Sequence, residues 1–137
     1  MFVDSHCHLD FPDLAVREDA VLAAMDANRV GRALCVAVKL EDFPRVLALA
    51  GRHPQLYASV GVHPDGEGVA EPDEAQLIAL ADHPKVVAIG ETGLDYHWQK
   101  DAPEWQRARF RTHIRAARAC GKPLIVHTRA AAADTLR

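Results

Sequence analysis

The chain has 137 residues, 49% of them apolar and 26% charged, which is typical of one folded domain and not of a disordered or fibrous chain. The net charge of −3 at pH 7 and the pI near 6.2 argue against a broadly basic surface for nucleic acid. A phosphate-bearing ligand stays compatible with these values, because bound divalent metal ions would supply positive charge.

The apolar segments and the cysteines indicate the cellular compartment of the chain. No apolar run approaches the roughly 18 residues that a membrane span needs, and no basic region followed by an apolar segment marks a signal peptide. The three cysteines, an odd number without a Cys-x-x-Cys pair, are typical of a reducing compartment, with Cys35 and Cys120 as small core residues. We therefore expect a cytoplasmic protein with no membrane partner.

In chain order, short apolar runs alternate with segments of helical periodicity, and together they predict five strand–helix units. The predicted strands cover residues 3–5, 32–38, 56–62, 85–90 and 123–127. The predicted helices cover residues 12–28, 44–50 and 74–81, a segment between Asp101 and Gly121, and a segment that begins near Ala130. The fourth helix is the best delimited, because Asp101 and Glu104 have capping-box spacing and Gly121 is followed by Pro123.

This alternation predicts an α/β fold with parallel strands joined by right-handed crossovers. Two architectures fit, an open doubly wound sheet and a (β/α)₈ barrel of the TIM type. The glycine-rich phosphate loop of the first is missing, because Ser5-His6-Cys7-His8 follows the first strand. Polar residues end strands one, three, four and five, which favours the barrel, although a closed barrel needs about 250 residues.

The polar residues at these strand ends are candidate metal ligands. His6 and His8 are two residues apart in an extended segment, so their side chains point to the same face. Glu91 and His127 follow the fourth and fifth strands, and a barrel would bring all four residues to one rim. Imidazole and carboxylate groups bind Zn, Mn, Fe or Co, and a carboxylate can bridge two metals. Each residue alone also fits a solvated position, but the register of all four favours a metal centre.

Two further residues on the same rim are candidate substrate contacts. His63, which precedes Pro64 after the third strand, fits a contact to substrate or phosphate, the interpretation we prefer, or part of a turn. Arg129 is a candidate partner for a substrate phosphate, but an arginine at a helix start is more often solvated.

Several charged residues have two interpretations each. Asp4, Asp10 and Asp95 are candidates for orienting metal-bound histidines through hydrogen bonds, and solvation in a loop is the alternative for the last two. A basic stripe at helical spacing on the fourth helix is interpreted as a solvated face rather than a DNA track. It consists of Arg107, Arg111, Arg115, Arg118 and Lys122.

The motifs of this chain resemble those of the TatD family of metal-dependent deoxyribonucleases, within the amidohydrolase-like barrels. The matching segments are DSHCHLD at 4–10, GVHP at 61–64, GETGLDYHW at 90–98 and KPLIVHTRAAAADTL at 122–136. They are spread through the whole chain in the order of the family. The resemblance implies a (β/α)₈ hydrolase with two divalent metal ions, Mg, Mn or Zn, that cuts phosphodiester bonds of DNA, typically from the 3′ end.

The resemblance also implies a role for each matching residue. His6 and His8 would hold one metal, Glu91 would bridge both metals and serve catalysis, and His127 would hold the second. His63 would lie near the scissile phosphate. A metal-activated water would attack the phosphate in line.

One departure from the family is large, because its members carry another metal-binding histidine and a late strand-end aspartate beyond strand five. This chain has neither, so we expect residues 1–137 to be the N-terminal portion of one barrel, its first five units. Unpaired strand edges would then favour self-association. Two alternatives stay open: an amidohydrolase of C–N or ester bonds, and an inactive, metal-binding partial barrel. Glu91 argues against the first, because many amidohydrolases have a carboxylated lysine at the bridging position.

Overall fold

A computed structural model describes all residues, 1–137, and its strands alternate with helices along the whole chain. The strands are β1 (Phe2–Cys7), β2 (Val30–Cys35), β3 (Leu56–Val60), β4 (Val86–Asp95) and β5 (Leu124–Arg129). The helices are α1 (Pro12–Ala15), α2 (Glu18–Ala27), α3 (Phe43–Arg52), α4 (Glu74–Ala81), α5 (Glu104–Cys120) and α6 (Ala132–Thr135). No helix combines the length and the apolar character that crossing a lipid bilayer requires.

The five strands form one parallel sheet in the order β1-β2-β3-β4-β5. Strands that are consecutive in sequence are therefore neighbours in the sheet, and the order never reverses. A doubly wound sheet requires such a reversal, whereas a barrel wall is built by adding each strand beside the previous one. The strand order therefore excludes the doubly wound alternative and leaves β1 and β5 with one strand neighbour each.

The hydrophobic core lies between the sheet and the helices that cover it. Apolar residues of α3 recur at the spacing of one helical face, and four of them are buried: Phe43, Val46, Leu49 and Ala50. They pack in one cluster with strand residues such as Leu56 and Ile89, which have no exposed surface. Cys35 is buried and Cys120 is partly buried against this cluster, as predicted for small core residues.

Two local predictions differ from the structure, and a third is confirmed. The helix predicted over 12–28 is two helices, and the break places Glu18 and Asp19 in the first turn of α2, where acidic side chains favour the helix dipole. The predicted capping box is wrong: Pro103 precedes the first residue of α5, and no side chain caps that end. Glu104 pairs instead with two arginines of its own helix. The predicted stop at Gly121 is confirmed by its left-handed φ of 69°.

Candidate metal centre

The C-terminal ends of the strands bring the chemically active side chains to one edge of the sheet. His6 lies near the end of β1 with His8 just beyond, and His63 follows β3. Glu91 lies inside β4, which runs to Asp95 because its residues 92–95 pair with residues 126–129 of β5. His127 lies within β5. Two of the expected strand-end residues are therefore held inside paired strands, which makes their backbone positions more rigid.

Close contact between β4 and β5 depends on a residue without a side chain. Gly93 has a φ of 138°, and a Cβ added there would lie 2.0 Å from the backbone oxygen of His127. No other residue type could keep the two strands at this distance. The contact sets the spacing between Glu91 on β4 and His127 on β5.

A first donor group consists of His6, His8 and Glu91, whose ligand atoms lie within 4.8 Å of one another. His6 Nε2 lies 3.2 Å from a carboxylate oxygen of Glu91. His8 Nδ1 lies 3.0 Å from the backbone oxygen of Val36. A carbonyl oxygen can only accept, so this hydrogen bond puts the proton of His8 on Nδ1 and leaves Nε2 free as a ligand.

A second donor group consists of His63, Glu91 and His127, also within 4.8 Å of one another. His63 Nε2 lies 3.1 Å from His127 Nδ1, and His127 Nδ1 lies 3.3 Å from Glu91 Oε1. On the outer side, His63 Nδ1 lies 2.6 Å from the Asp65 carboxylate and His127 Nε2 lies 2.9 Å from that of Asp95. Both imidazoles therefore donate outward to a carboxylate and direct their other nitrogen at Glu91, an arrangement typical of metal-binding histidines.

The centre concentrates acceptor atoms around a buried carboxylate. Glu91 is 7% exposed, and its ion-pair partners within 4 Å are the imidazoles of His6, His63 and His127. With the outer nitrogens protonated, the inner nitrogens present lone pairs to one another and to Glu91. Such a group of acceptors requires either additional protons or a cation between them. Nitrogen and carboxylate donors fit Zn, Mn, Fe or Co, so the residues present fit a divalent metal ion.

The side chain of Asp95 connects β4 to β5 and to the loop that follows β4. Its side chain is 2% exposed and accepts hydrogen bonds from the backbone amide of His97, from His127 and from Arg129 Nε at 2.8 Å. Burial acts to raise the pKa of this carboxyl, but the three hydrogen bonds outweigh it and the pKa lies below its usual value. Asp95 is therefore a carboxylate at neutral pH and keeps the proton of His127 on Nε2.

The other predicted residues fall into different environments. Of the three aspartates predicted to orient histidines, Asp95 contacts an imidazole ring, whereas Asp4 accepts from the backbone amide of His6 and Asp10 pairs with Arg45 on α3. Arg129 keeps its terminal nitrogens free of protein partners and is about half exposed. Its predicted phosphate contact stays a prediction, as do the roles assigned to the ligands.

The four arginines of the basic stripe lie on the surface side of α5, as expected of a solvated face. Lys122 differs from the prediction: it lies beyond the end of α5, and its ammonium donates to the backbone oxygens of Ala81 and Val86. Arg107 and Arg111 pair with Glu104 of the same helix, and Arg115 pairs with Glu74 of α4. These pairs neutralise much of the charge that a DNA track would need.

Two residues beside the centre escaped the sequence argument. Asp65 lies two residues after His63, a spacing that permits a local side-chain contact and could have been noticed. Phe11 stacks on the ring of His8, with centroids 4.8 Å apart, and no pattern in the sequence predicts this contact. Both residues line a cleft of about 630 Å³ that also contains Lys39 and Glu91.

A profile of the family described as TatD-related DNase matches residues 3–137. The chain belongs to this family. A relative named as an uncharacterised metal-dependent hydrolase, YcfH of Escherichia coli, is 42% identical over 138 aligned residues, which cover 98% of this chain and 51% of the relative. A relative named as a 3′-5′ ssDNA/RNA exonuclease, TatD of Enterobacter lignolyticus, is 36% identical, with coverage of 92% and 49%.

The crystal structure of the TatD homologue YjjV from Escherichia coli superposes on this chain with a TM-score of 0.89 and 34% sequence identity. The match covers 98% of this chain and 53% of YjjV. The prediction of an α/β barrel, of which this chain supplies part of the wall, is confirmed. The chain spans about half the length of the curated relatives it matches.

Proposed function

We propose that this TatD-family chain carries the metal centre of a divalent-metal-dependent DNase, and that residues 1–137 are the N-terminal portion of one such barrel. The observation that supports the proposal is the pair of three-donor groups that share Glu91. A carboxylate between two groups of imidazoles is suited to bridging two cations. When bound, divalent metal ions supply an activated water and positive charge against the phosphate oxygens.

The residues of the chain then have distinct roles. His6 and His8 hold one cation together with Glu91, which is the proposed catalytic residue because both groups depend on it. His127 holds the second cation, and the 3.8 Å between His63 Nε2 and a carboxylate oxygen of Glu91 supports a role for His63 as a further donor. The substrate contact expected of His63 stays a prediction.

DNA is the proposed substrate, and a single strand cut from its 3′ end is the proposed form. The relative named as a 3′-5′ ssDNA/RNA exonuclease supports this choice. Arg129 beside the second donor group and Lys39 on the cleft offer exposed cations for phosphates of the strand. The three free thiols support the proposal of a reducing, cytoplasmic environment.

The test is metal binding and DNA cleavage by the chain and its Glu91→Gln variant, which keeps the size of the side chain and removes its charge. Calorimetric titration with Mn²⁺ or Zn²⁺ should find two sites in the wild type, and loss of Glu91 should weaken both. Glu74→Gln is the control, because Glu74 lies on α4 and pairs only with the surface residue Arg115.

Cleavage is measured on a 3′-labelled single-stranded oligonucleotide with Mn²⁺ or Mg²⁺. Cleavage that needs the metal and is lost in Glu91→Gln supports the DNase. Turnover of an ester or amide substrate with no cleavage of DNA would favour the amidohydrolase alternative. Metal binding that the Glu91→Gln variant leaves unchanged would overturn the proposed centre. Two bound metals without any hydrolysis would favour the inactive partial barrel.

A further inference from the structure

Helix α5 buries three polar side chains on the face that packs against the sheet. Gln106, Arg109 and His113 are 0%, 3% and 0% exposed, and their spacing of three and four residues places them on one face. We call them the α5 polar face. Apolar residues would pack such a seam equally well, and buried polar groups are unfavourable unless they are hydrogen-bonded. Their hydrogen bonds identify the backbone segments that this face positions.

Gln106 joins the loop after β3 to the end of β4. Its amide nitrogen donates to the backbone oxygens of Pro64 at 2.8 Å and Asp95 at 3.1 Å, and its amide oxygen accepts from the Asp95 backbone nitrogen at 3.0 Å. One buried side chain thus holds the residue after His63 and both backbone groups of the aspartate that binds His127.

Arg109 holds the same loop from a second position. Its guanidinium donates to the backbone oxygen of His63 at 2.7 Å and to that of Gly66 at 2.8 Å, and its Nε pairs with Glu71 at 2.9 Å. These bonds fix both ends of the segment 63–66, which contains His63 and its carboxylate partner Asp65. The planar fork of arginine is suited to fixing several acceptors at once.

His113 completes the set one turn further along the helix. Its Nε2 accepts from the backbone amide of Val62 at 3.0 Å, and its Nδ1 donates to the backbone oxygen of Arg109 at 2.8 Å. Burial lowers the pKa of His113 to about 4, so the ring is neutral at pH 7 and retains the lone pair that Val62 requires.

We propose that the α5 polar face consists of positioning residues that align His63 and His127, the two imidazoles of the second donor group, and leave His6 and His8 unaffected. All side-chain bonds of this face go to residues 62–66, to Glu71, to Asp95 and to α5 itself. His6 and His8 are held instead from β1 and from the residue that follows β2, Val36, whose backbone oxygen accepts from His8. This inference rests on the proposed metal centre for its functional meaning.

The experiment compares Gln106→Leu and His113→Leu with the wild-type chain, and uses Arg115→Leu as a control on the exposed side of α5. His113→Gln serves as the conservative variant, because its amide oxygen can still accept from Val62. The first readout needs no metal: ¹⁵N NMR of the histidine rings reports whether His63 keeps its proton on Nδ1 and His127 on Nε2. The second readout is the two-site titration with Zn²⁺, and the melting temperature of each variant is recorded.

Both leucine variants should give mixed ring tautomers for His63 or His127 and weaken one of the two metal sites by about 10-fold or more, as loss of an outer hydrogen-bond partner does. The other site should stay within about 3-fold of the wild type, and His113→Gln should recover most of the difference. Equal weakening of both sites, or a lower melting temperature with unchanged ring signals and affinities, would show a structural role alone and overturn the inference.

The two proposals fail in different ways. A wild-type chain that binds no metal would refute the proposed function, and the ring signals would still decide whether the α5 polar face aligns His63 and His127. If a leucine variant does not fold, His113→Gln and Gln106→Glu provide the comparison. Gln106→Glu keeps the acceptor for the Asp95 amide and loses both donated bonds, so unchanged ring signals in this variant would also overturn the inference.

Discussion

Replacing Asp95 by asparagine tests the electrostatic design of the second donor group. In the native chain, one carboxylate oxygen of Asp95 accepts both from His127 Nε2 and from Arg129 Nε. An asparagine amide has only one oxygen. Its NH₂ would face the two donors if it occupied the position of this carboxylate oxygen. The imidazole of His127 then gains from moving its proton to Nδ1, the nitrogen that faces Glu91. Nδ1 must carry no proton if it is to bind a cation.

The expected loss is about 10- to 100-fold in the affinity of one metal site, which corresponds to about 1.4–2.8 kcal/mol. The other site should change little, because His6 and His8 do not contact Asp95. The measurement is a two-site calorimetric titration of Asp95→Asn beside Asp82→Asn, since Asp82 is an exposed residue at the end of α4. Wild-type affinity at both sites of Asp95→Asn, or equal losses at both, would refute this reasoning.

The same residue gives a pH dependence whose sign follows from its lowered pKa. Because the folded-state pKa of Asp95 lies below its unfolded value, its contribution to stability is complete above the unfolded pKa of about 3.9. It is lost as the pH falls through the lower, folded-state pKa. Chemical denaturation between pH 2 and about 6 should therefore show a smaller acid-induced loss of stability for Asp95→Asn than for the wild type. Parallel curves for the two proteins would contradict this assignment.

Three further predictions concern the sheet and its ligands. Gly93→Ala should lower the free energy of unfolding by about 2–4 kcal/mol or prevent folding, because its Cβ would collide with the His127 backbone oxygen. Gly51→Ala, whose Cβ would meet no neighbouring element within 4 Å inside α3, should leave the melting temperature unchanged or raise it, because alanine favours a helix by up to about 1 kcal/mol over glycine. Arg129→Met should weaken single-stranded oligonucleotide binding and reduce the magnitude of the slope of log K against log salt by about 0.7. Arg118→Met should change neither quantity. The exposed edges of β1 and β5 should cause concentration-dependent self-association in light scattering, and a monodisperse monomer at all concentrations would exclude it.

Much of the fold follows from local patterns. The helix predicted over residues 74–81 matches α4, because its start at Asp73 carries a side-chain cap to Gln76 that depends on neighbouring residues alone. The end of β4 could not be predicted from local sequence patterns. Residues 92–95 form a strand only because β5 pairs with them, and those two segments are separated in sequence by the whole of α5. Where local propensity and long-range pairing differ, the pairing determines the structure.

The sequence by itself determined which donor residues stand at the strand ends, because alternation and apolar runs place His6, His8 and His127 in register with predicted strands. Only the tertiary structure decided which of their nitrogens face Glu91. That choice depends on the backbone oxygen of Val36 and the carboxylate of Asp95. These groups lie just after β2 and at the end of β4, and they reach the rings only after the sheet has formed. The α5 polar face belongs to the same category, since its hydrogen bonds join residues tens of positions apart, and nothing in their local sequence marks them as partners.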